Sequence, residues 1–401
     1  MFRLRYPLLF LFLLFWSGCG SSSTVVEDMI EEAPVEVEAS GGPFVVFTER
    51  EGSLLALDLP FNVERKLGDA GSMIYSSTSP NALRVVLGIE SERKTELYLY
   101  NIPEQTRTVL FSGEKGTVFS GDWDPSSSAF YFGQYVPDGK RMGAGSIHSY
   151  TAATGLVERV PCSASRMVLR HLSDGALMVR NSDSIYHVSV SDCSTLQTID
   201  ARKLYHVSVS PTKDRMAYVL RDLVFNRDTR AYEPDSALYL ASVEGGNEIK
   251  VIGDKYQPRN IVWSPDGKEL AYDVAAQDGS SRRAVSIYSI DSGRSSYLET
   301  PTATSNSSSH PVFSPDGMTV AYRSTDPDGF QDMMWKTAGE SFSHVTPGDP
   351  DVRSAYSFNW VGVRVAFVRS PSGEASILDV SAGEPQVRWS GPSAVFATPI
   401  R

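Results

Sequence analysis

The chain predicts an all-β fold, a single β-propeller of four-stranded antiparallel blades, and three observations carry that prediction. One phrase (an apolar strand ending in an aromatic residue, a Ser-Pro-Asp-Gly turn, a second apolar strand) recurs about every 38 to 54 residues. Between its recurrences the apolar runs are short and alternate with a period of two, a strand signature and not a helical one. Finally, 31 glycines and 23 prolines punctuate these runs so closely that no long helix fits between them. Four strands per unit at this period is the propeller pattern. A lone four-stranded sheet leaves both faces uncovered, whereas a closed ring of such sheets buries them.

The chain opens with Arg3 and Arg5, runs without charge from position 7 to position 16, and then reads Ser17-Gly18-Cys19-Gly20. As a helix the uncharged run spans roughly 15 Å, half the ~30 Å hydrocarbon core of a bilayer. It is too short to cross a membrane and has the size of a secretory signal core. Ser17, Gly18 and Cys19 resemble the lipobox of bacterial lipoproteins, with Trp16 where leucine is usual. The resemblance implies a signal peptide over 1–18 and lipidation of Cys19 as the mature N-terminus. It implies a protein of the bacterial cell envelope held to the membrane by that lipid. Gly20, in place of aspartate, points by the same resemblance to the outer membrane, facing the periplasm. Residues 19–42 continue with a serine run and then Glu27, Asp28, Glu31, Glu32, Glu36 and Glu38, without Lys or Arg. Little can be buried there and like charges repel, which predicts an extended tether able to turn either face of the disc outward. The propeller occupies 43–401.

Within it the clearest copies of the phrase are Val262-Trp263-Ser264-Pro265-Asp266-Gly267, leading to Ala271-Tyr272, and Val312-Phe313-Ser314-Pro315-Asp316-Gly317, leading to Ala321-Tyr322. Degenerate copies start their turns at Ser79, Asp124, Ser173 and Ser210, and a last one centres on Trp360. Ser or Asp at the first turn position bonds the backbone ahead of it, Pro fixes φ, and Asp-Gly supplies a positive φ. These aspartates therefore read as hairpin residues and not as a catalytic set. The phrase resembles that of the TolB-like periplasmic propellers and of the propeller domains of prolyl-oligopeptidase-type enzymes, over most of the chain after residue 43.

Seven full repeats begin near Met73, Val118, Arg166, Leu204, Arg259, His310 and Ser354. Ahead of them, Phe44-Val45-Val46-Phe47, Leu54-Leu55-Ala56-Leu57 and Glu64-Arg65-Lys66-Leu67 read as the second, third and fourth strands of a unit that lacks its first. Ala394-Val395-Phe396-Ala397 is a strand left over at the end. If that strand completes the first unit, every strand is used and both edges are hidden, giving eight blades. A ragged first unit gives seven, and the TolB resemblance by itself implies six, fewer than the repeats present. First-to-second and third-to-fourth turns share one face of such a disc. Second-to-third loops and blade connectors share the other, and that face receives the long segments 136–145, 222–235, 275–283, 325–330 and 301–309. Loops of that length are usually functional.

Cys162 and Cys193 remain once Cys19 is assigned. An oxidising compartment favours a bond between them. The layout opposes it, since Cys162 ends a fourth strand on the long-loop face and Cys193 lies in a third-to-fourth turn on the other. A strand separates those faces by roughly 17–20 Å, whereas disulfide Cα atoms lie within ~7 Å.

The formal charge of −11 and the absence of a basic patch argue against nucleic acid as a partner. Six histidines (His148, His171, His187, His206, His310, His344) show no metal-ligand spacing. No Gly-x-Ser-x-Gly elbow, Walker loop, haem site or dinucleotide fingerprint occurs, so no cofactor or metal is expected and the enzyme resemblance stops at the propeller. The most distinctive segment, 222–235, mixes Phe225, Arg227, Arg230 and Tyr232, the residue types enriched at interface hot spots. Arg282 and Arg283, in the next blade's equivalent loop, add a second basic cluster. The expectation is a binding platform for another envelope protein, with Phe225 and Tyr232 outside any strand. The alternatives are an envelope hydrolase or lyase, or a carbohydrate or peptidoglycan binder, using the channel mouth.

Overall fold

The computed structural model describes residues 44–399 apart from 51–52, 60–62, 70–71, 105, 139–140, 163–166, 173–174, 182–183, 201–203, 227–229, 245, 254–255, 276–281, 299–305, 330, 338–343, 346–356, 363–364, 370–373, 380–385 and 393. The expected signal peptide, Cys19 and the acidic tether lie outside the described residues.

The described strands run in chain order as follows. The first three are β1 (Phe44–Arg50), β2 (Ser53–Leu59) and β3 (Val63–Asp69). Next come β4 (Ser72–Thr78), β5 (Arg84–Glu90), β6 (Lys94–Asn101) and β7 (Thr106–Glu114). They are followed by β8 (Val118–Trp123), β9 (Ala129–Asp138), β10 (Arg141–Thr151) and β11 (Leu156–Arg159). The middle of the chain forms β12 (Met167–His171), β13 (Ala176–Arg180), β14 (Ser184–Ser189) and β15 (Thr195–Asp200), then β16 (Leu204–Val209), β17 (Arg215–Asn226), β18 (Ala231–Ser242) and β19 (Ile249–Ile252). After these come β20 (Arg259–Trp263), β21 (Glu269–Ala275), β22 (Arg283–Ser289) and β23 (Arg294–Tyr297), then β24 (Ser307–Phe313), β25 (Thr319–Thr325), β26 (Gln331–Thr337) and β27 (His344–Val345). The last five are β28 (Ser357–Gly362), β29 (Val365–Arg369), β30 (Glu374–Asp379), β31 (Gln386–Pro392) and β32 (Ala394–Pro399).

These strands form eight four-stranded antiparallel sheets. Seven take four consecutive strands. The remaining sheet has the order β3-β2-β1-β32, so the end of the chain completes the sheet that its beginning started. First strands adjoin one another in sequence, β4 beside β8, then β12, β16, β20, β24, β28 and β32. The sheets are numbered here from the one that joins both chain ends.

The core lies in the gaps between successive sheets. Leu97, Leu99 and Leu110 of the second sheet meet Phe119, Trp123, Phe130 and Phe132 of the third. Ala217, Val219 and Leu238 of the fifth meet Ile261, Trp263, Leu270 and Tyr272 of the sixth. Phe130, Phe132 and Leu270 have no exposed surface, and burying each such side chain contributes about 1.5–3 kcal/mol. The aromatic residue that ends the repeated phrase also has a polar task. Indole Nε1 donates to a backbone carbonyl of the preceding sheet's first strand in three places: Trp123 to Ser77 at 3.5 Å, Trp263 to Ser208 at 3.1 Å and Trp360 to Val312 at 3.1 Å.

Five described copies of the turn, 79–84, 124–129, 210–215, 264–269 and 314–319, have the same backbone hydrogen-bond circuit. In 264–269 the Gly267 N–H donates to the Ser264 carbonyl at 2.9 Å, and the Ser264 N–H to the Glu269 carbonyl at 2.9 Å. Ser264 Oγ donates to Asp266 at 2.7 Å and accepts from the Glu269 N–H at 2.8 Å. Ser79, Ser210 and Ser314 start equivalent circuits. The fourth position has positive φ in these five: Gly267 and Gly317, but also Ala82, Ser127 and Lys213. The circuit thus holds even where the sequence lacks the glycine that makes this conformation easy.

Two expectations need correction. Segments 136–145 and 222–235 are largely strand. β17 and β18 pair without interruption from Arg215↔Ser242 to Asn226↔Ala231, which places Phe225 and Tyr232 directly opposite each other inside strands. Polar residues hide the alternation there, but each strand supplies its partner's backbone bonds whatever its side chains are. The second correction is that Cys162 and Cys193 are disulfide-bonded, with Cα atoms 4.9 Å apart. The opposing layout assumed a fourth strand that crosses the whole sheet. β11 has only four residues, about 13 Å at ~3.3 Å each. The chain leaves it at Arg159, opposite His148, and Cys162 lies against the end of β14, its Sγ 3.8 Å from the Ser189 carbonyl oxygen.

Candidate binding face

Alternation of strand direction puts the two hairpin classes on opposite faces. Four-residue turns such as 264–267 occupy one, and the second-to-third hairpins occupy the other, where β17 and β18, of 12 residues each, are the longest described strands. Beyond Leu204↔Leu220 no described strand pairs with β17 except β18, and beyond Leu238↔Ile252 none pairs with β18 except β17. Among the described strands the hairpin from 221 to 236 is therefore paired as a two-stranded ribbon. Phe225 is 49% exposed on it, and Arg230 is exposed in its turn with a φ of 51°. Arg227 lies outside the described residues.

Arg282 and Arg283 are both half-buried at the start of β22. Arg283 is not available to a partner. Its guanidinium binds the Asp273 carboxylate and donates to the carbonyls of Gln257 at 2.6 Å and Asp273 at 2.9 Å. The Asp273 carboxylate is fully buried and also accepts from Asn260 at 2.5 Å and from the His310 N–H at 3.2 Å. A buried carboxylate needs such partners, and this is what claims Arg283 for the fold.

Nearer the channel the head of β16 carries a group that the sequence reading missed. Tyr205, the extra residue at a register shift between Leu204 and His206, is 47% exposed. The Cζ of Arg221 lies 5.2 Å from the Tyr205 ring centroid. From the fourth sheet, Arg180 Nη2 donates to the Leu204 carbonyl at 3.0 Å. Burial pulls the Arg180 pKa down, with Tyr135 opposing it. Burial also holds His206 below the usual histidine value, with a backbone bond to Ile261 opposing and Arg180 adding to the effect. A sequence signal for Arg180 exists: Arg180, Arg323 and Arg369 each stand four residues into a second strand, where the sixth sheet has Asp273. No spacing rule singles out Tyr205, because its exposure follows from a bulge.

Among the described residues no group of three His, Cys, Asp or Glu is placed to hold a metal ion. Among the described residues two serine–histidine bonds occur: adjacent Ser309 Oγ and His310 Nδ1 lie 3.0 Å apart, and Ser146 Oγ and His148 Nε2 2.6 Å apart, with Gln134 Nε2 2.9 Å from the Ser146 hydroxyl. Ser146 is buried and the His148 ring stacks on Phe132 at 5.2 Å, so the pair is packed between strands and not presented to a substrate.

No family model matches the sequence, and no curated protein matches it. Solved structures do. The propeller domain of the Trilobed protease from Pyrococcus furiosus, described as having an open velcro topology, is 11% identical with a TM-score of 0.53, covering 80% of this chain and 98% of that one. Oligogalacturonate lyase from Vibrio parahaemolyticus is 11% identical with a TM-score of 0.51, covering 74% of this chain and 92% of that one. TolB from Acinetobacter baumannii is 17% identical with a TM-score of 0.42, and the match covers 77% of this chain but 64% of TolB. What the first two likenesses show is the fold: the chain is a β-propeller.

Proposed function

We propose that the protein is a non-catalytic interaction platform of the bacterial cell envelope, anchored through a lipid on Cys19, whose long-hairpin face meets another envelope protein. The observation that carries this reading is the asymmetry of the two faces. Among the described residues one offers tight turns; the other offers a long ribbon with exposed Phe225 and Arg230. The disulfide supports an oxidising compartment.

The lyase likeness, at 11% identity, is one of fold and lends its chemistry no support here. The test replaces 222–235 by Asn-Gly, which closes Arg221↔Ser236 with a tight hairpin turn. Envelope extracts passed over the full-length and shortened proteins should lose a specific partner with the shortened one at unchanged melting temperature. Equal recovery of every partner refutes the reading.

A further inference from the structure

Among the described residues, nine other than glycine have a left-handed backbone. Ala82, Ser127, Cys193, Lys213, Arg230 and Asn247 stand in hairpin turns, where that conformation is expected. The other three do not. Gln257 (φ 41°) precedes β20, while Asn260 (φ 50°) and His310 (φ 55°) stand inside β20 and β24. Each of the three is bonded to the same buried ion pair. Arg283 donates to the Gln257 carbonyl at 2.6 Å, and the Asp273 carboxylate accepts from the Asn260 amide at 2.5 Å and from the His310 N–H at 3.2 Å. A left-handed residue within a strand costs free energy and persists only where its surroundings fix it, a condition met most often at ligand clamps.

His310 is the exposed member of the three. It stands at the middle of β24, and first strands adjoin one another around the ring, so the imidazole is presented to the channel. Its Nδ1 lies 3.0 Å from Ser309 Oγ. A hydroxyl donating to Nδ1 keeps the ring proton on Nε2, where it is offered to a ligand. Three charges act on the ring among the described residues: Arg323 of β25, Asp273 of β21 and Arg283 of β22. Two are positive, and the negative one is already bound to Arg283. A site of that sign disfavours a metal ion and favours an anion. The ring's partial burial, and after it Arg323, hold the His310 pKa below the usual histidine value; Asp273 opposes and Arg283 adds.

We propose that His310 is the channel-wall contact of a small oxyanion, a carboxylate or a phosphate, which accepts a hydrogen bond from Nε2. An anion there favours the charged ring. Binding therefore takes a proton from solvent onto Nδ1, and the Ser309 hydroxyl turns from donor to acceptor. The site lies beyond the platform reading and does not depend on it.

The test is a histidine-detected NMR titration of the full-length protein with sodium phosphate and with sodium acetate, against sodium chloride at equal ionic strength. The His310 signal is the one missing from His310→Gly. Phosphate, acetate or both should shift that signal and raise its pKa, and which of them acts separates a tetrahedral ligand from a planar one. His310→Gly should weaken binding about tenfold or more in calorimetry, the loss of one charge-assisted bond. Glycine adopts the left-handed backbone freely, so the variant should still fold; if it does not, His310→Asn takes its place, since asparagine also tolerates that conformation. Arg294→Gln, on the exposed outer strand β23, should leave binding unchanged. No shift of the His310 signal up to about 100 mM of either anion, where a millimolar site is filled, overturns the proposal. The same shift with chloride, or anion binding undiminished in the His310 variant, overturns it as well.

Discussion

Reducing the Cys162–Cys193 bond should lower the melting temperature of the propeller by about 5 °C. The bond closes a loop of 31 residues. Chain-entropy bookkeeping assigns such a loop about 3.7 kcal/mol of stabilisation through the unfolded state. The roughly 360 residues from Phe44 onward unfold with an entropy near 0.75 kcal/mol/K at about 2.1 cal/mol/K per residue, and the ratio gives the shift. Reduction is a cleaner perturbation than substitution. Cys162 is 1% exposed and packs with Ile147, Val168 and Val188, so changing its side chain would add a packing loss. The assay is calorimetry with and without a phosphine reductant, alongside thiol counting in the unreduced, denatured mature protein. Equal melting temperatures would refute the entropic argument, and two titratable thiols from these positions would refute the bond itself.

Three further outcomes follow from the turns and the closing strand. Ser264→Ala should destabilise by about 1–3 kcal/mol, because the Glu269 N–H loses its acceptor at a buried site, while Ser126→Ala on the exposed side of another turn should stay within about 0.5 kcal/mol by denaturant unfolding. The Asp266 carboxyl is held below the ordinary carboxylate range, first by the Ser264 hydroxyl and then by the Lys268 N–H. Its stabilisation is therefore present above the unfolded value near 4 and is lost as pH falls through the lower folded value, so Asp266→Asn should flatten the acid limb of a stability–pH curve. Deleting 392–401 removes β32 and leaves the edge of β1 unpaired; the melt should move down as one cooperative transition, and a melt like that of the full chain would contradict ring closure by the terminal strand.

The fold was legible because its turn circuit demands particular residues at fixed spacing. Ser264, Pro265, Asp266 and Gly267 each do something the backbone requires, so the pattern survives in sequence even at Asp124 and Ser210. The leftover strand at 394–397 was legible for the same reason, as an apolar run without a partner in its own repeat. Strand length was not. Nothing in the composition of 156–162 says that β11 stops after four residues, and the cysteine pairing turns on that stop. Nor does the mixed polar character of 222–235 show that it continues as strand, since backbone pairing holds it. At the site, Phe225 and Arg230 stand exposed where a protruding segment was expected. Arg283 does not, because the burial of Asp273 in the same sheet claims it. Arg180 and Tyr205 escaped notice because their proximity is made between sheets and by a bulge, neither of which a single repeat records.

The account stands or falls on which face meets the partner. A photo-crosslinking residue placed at Phe225, 49% exposed on the ribbon, is to be compared in the native envelope with one at Met318, 48% exposed in a turn of the opposite face. The account predicts a discrete protein adduct from position 225 and none from position 318. Adducts from 318 alone, or the same adducts from both, would contradict it.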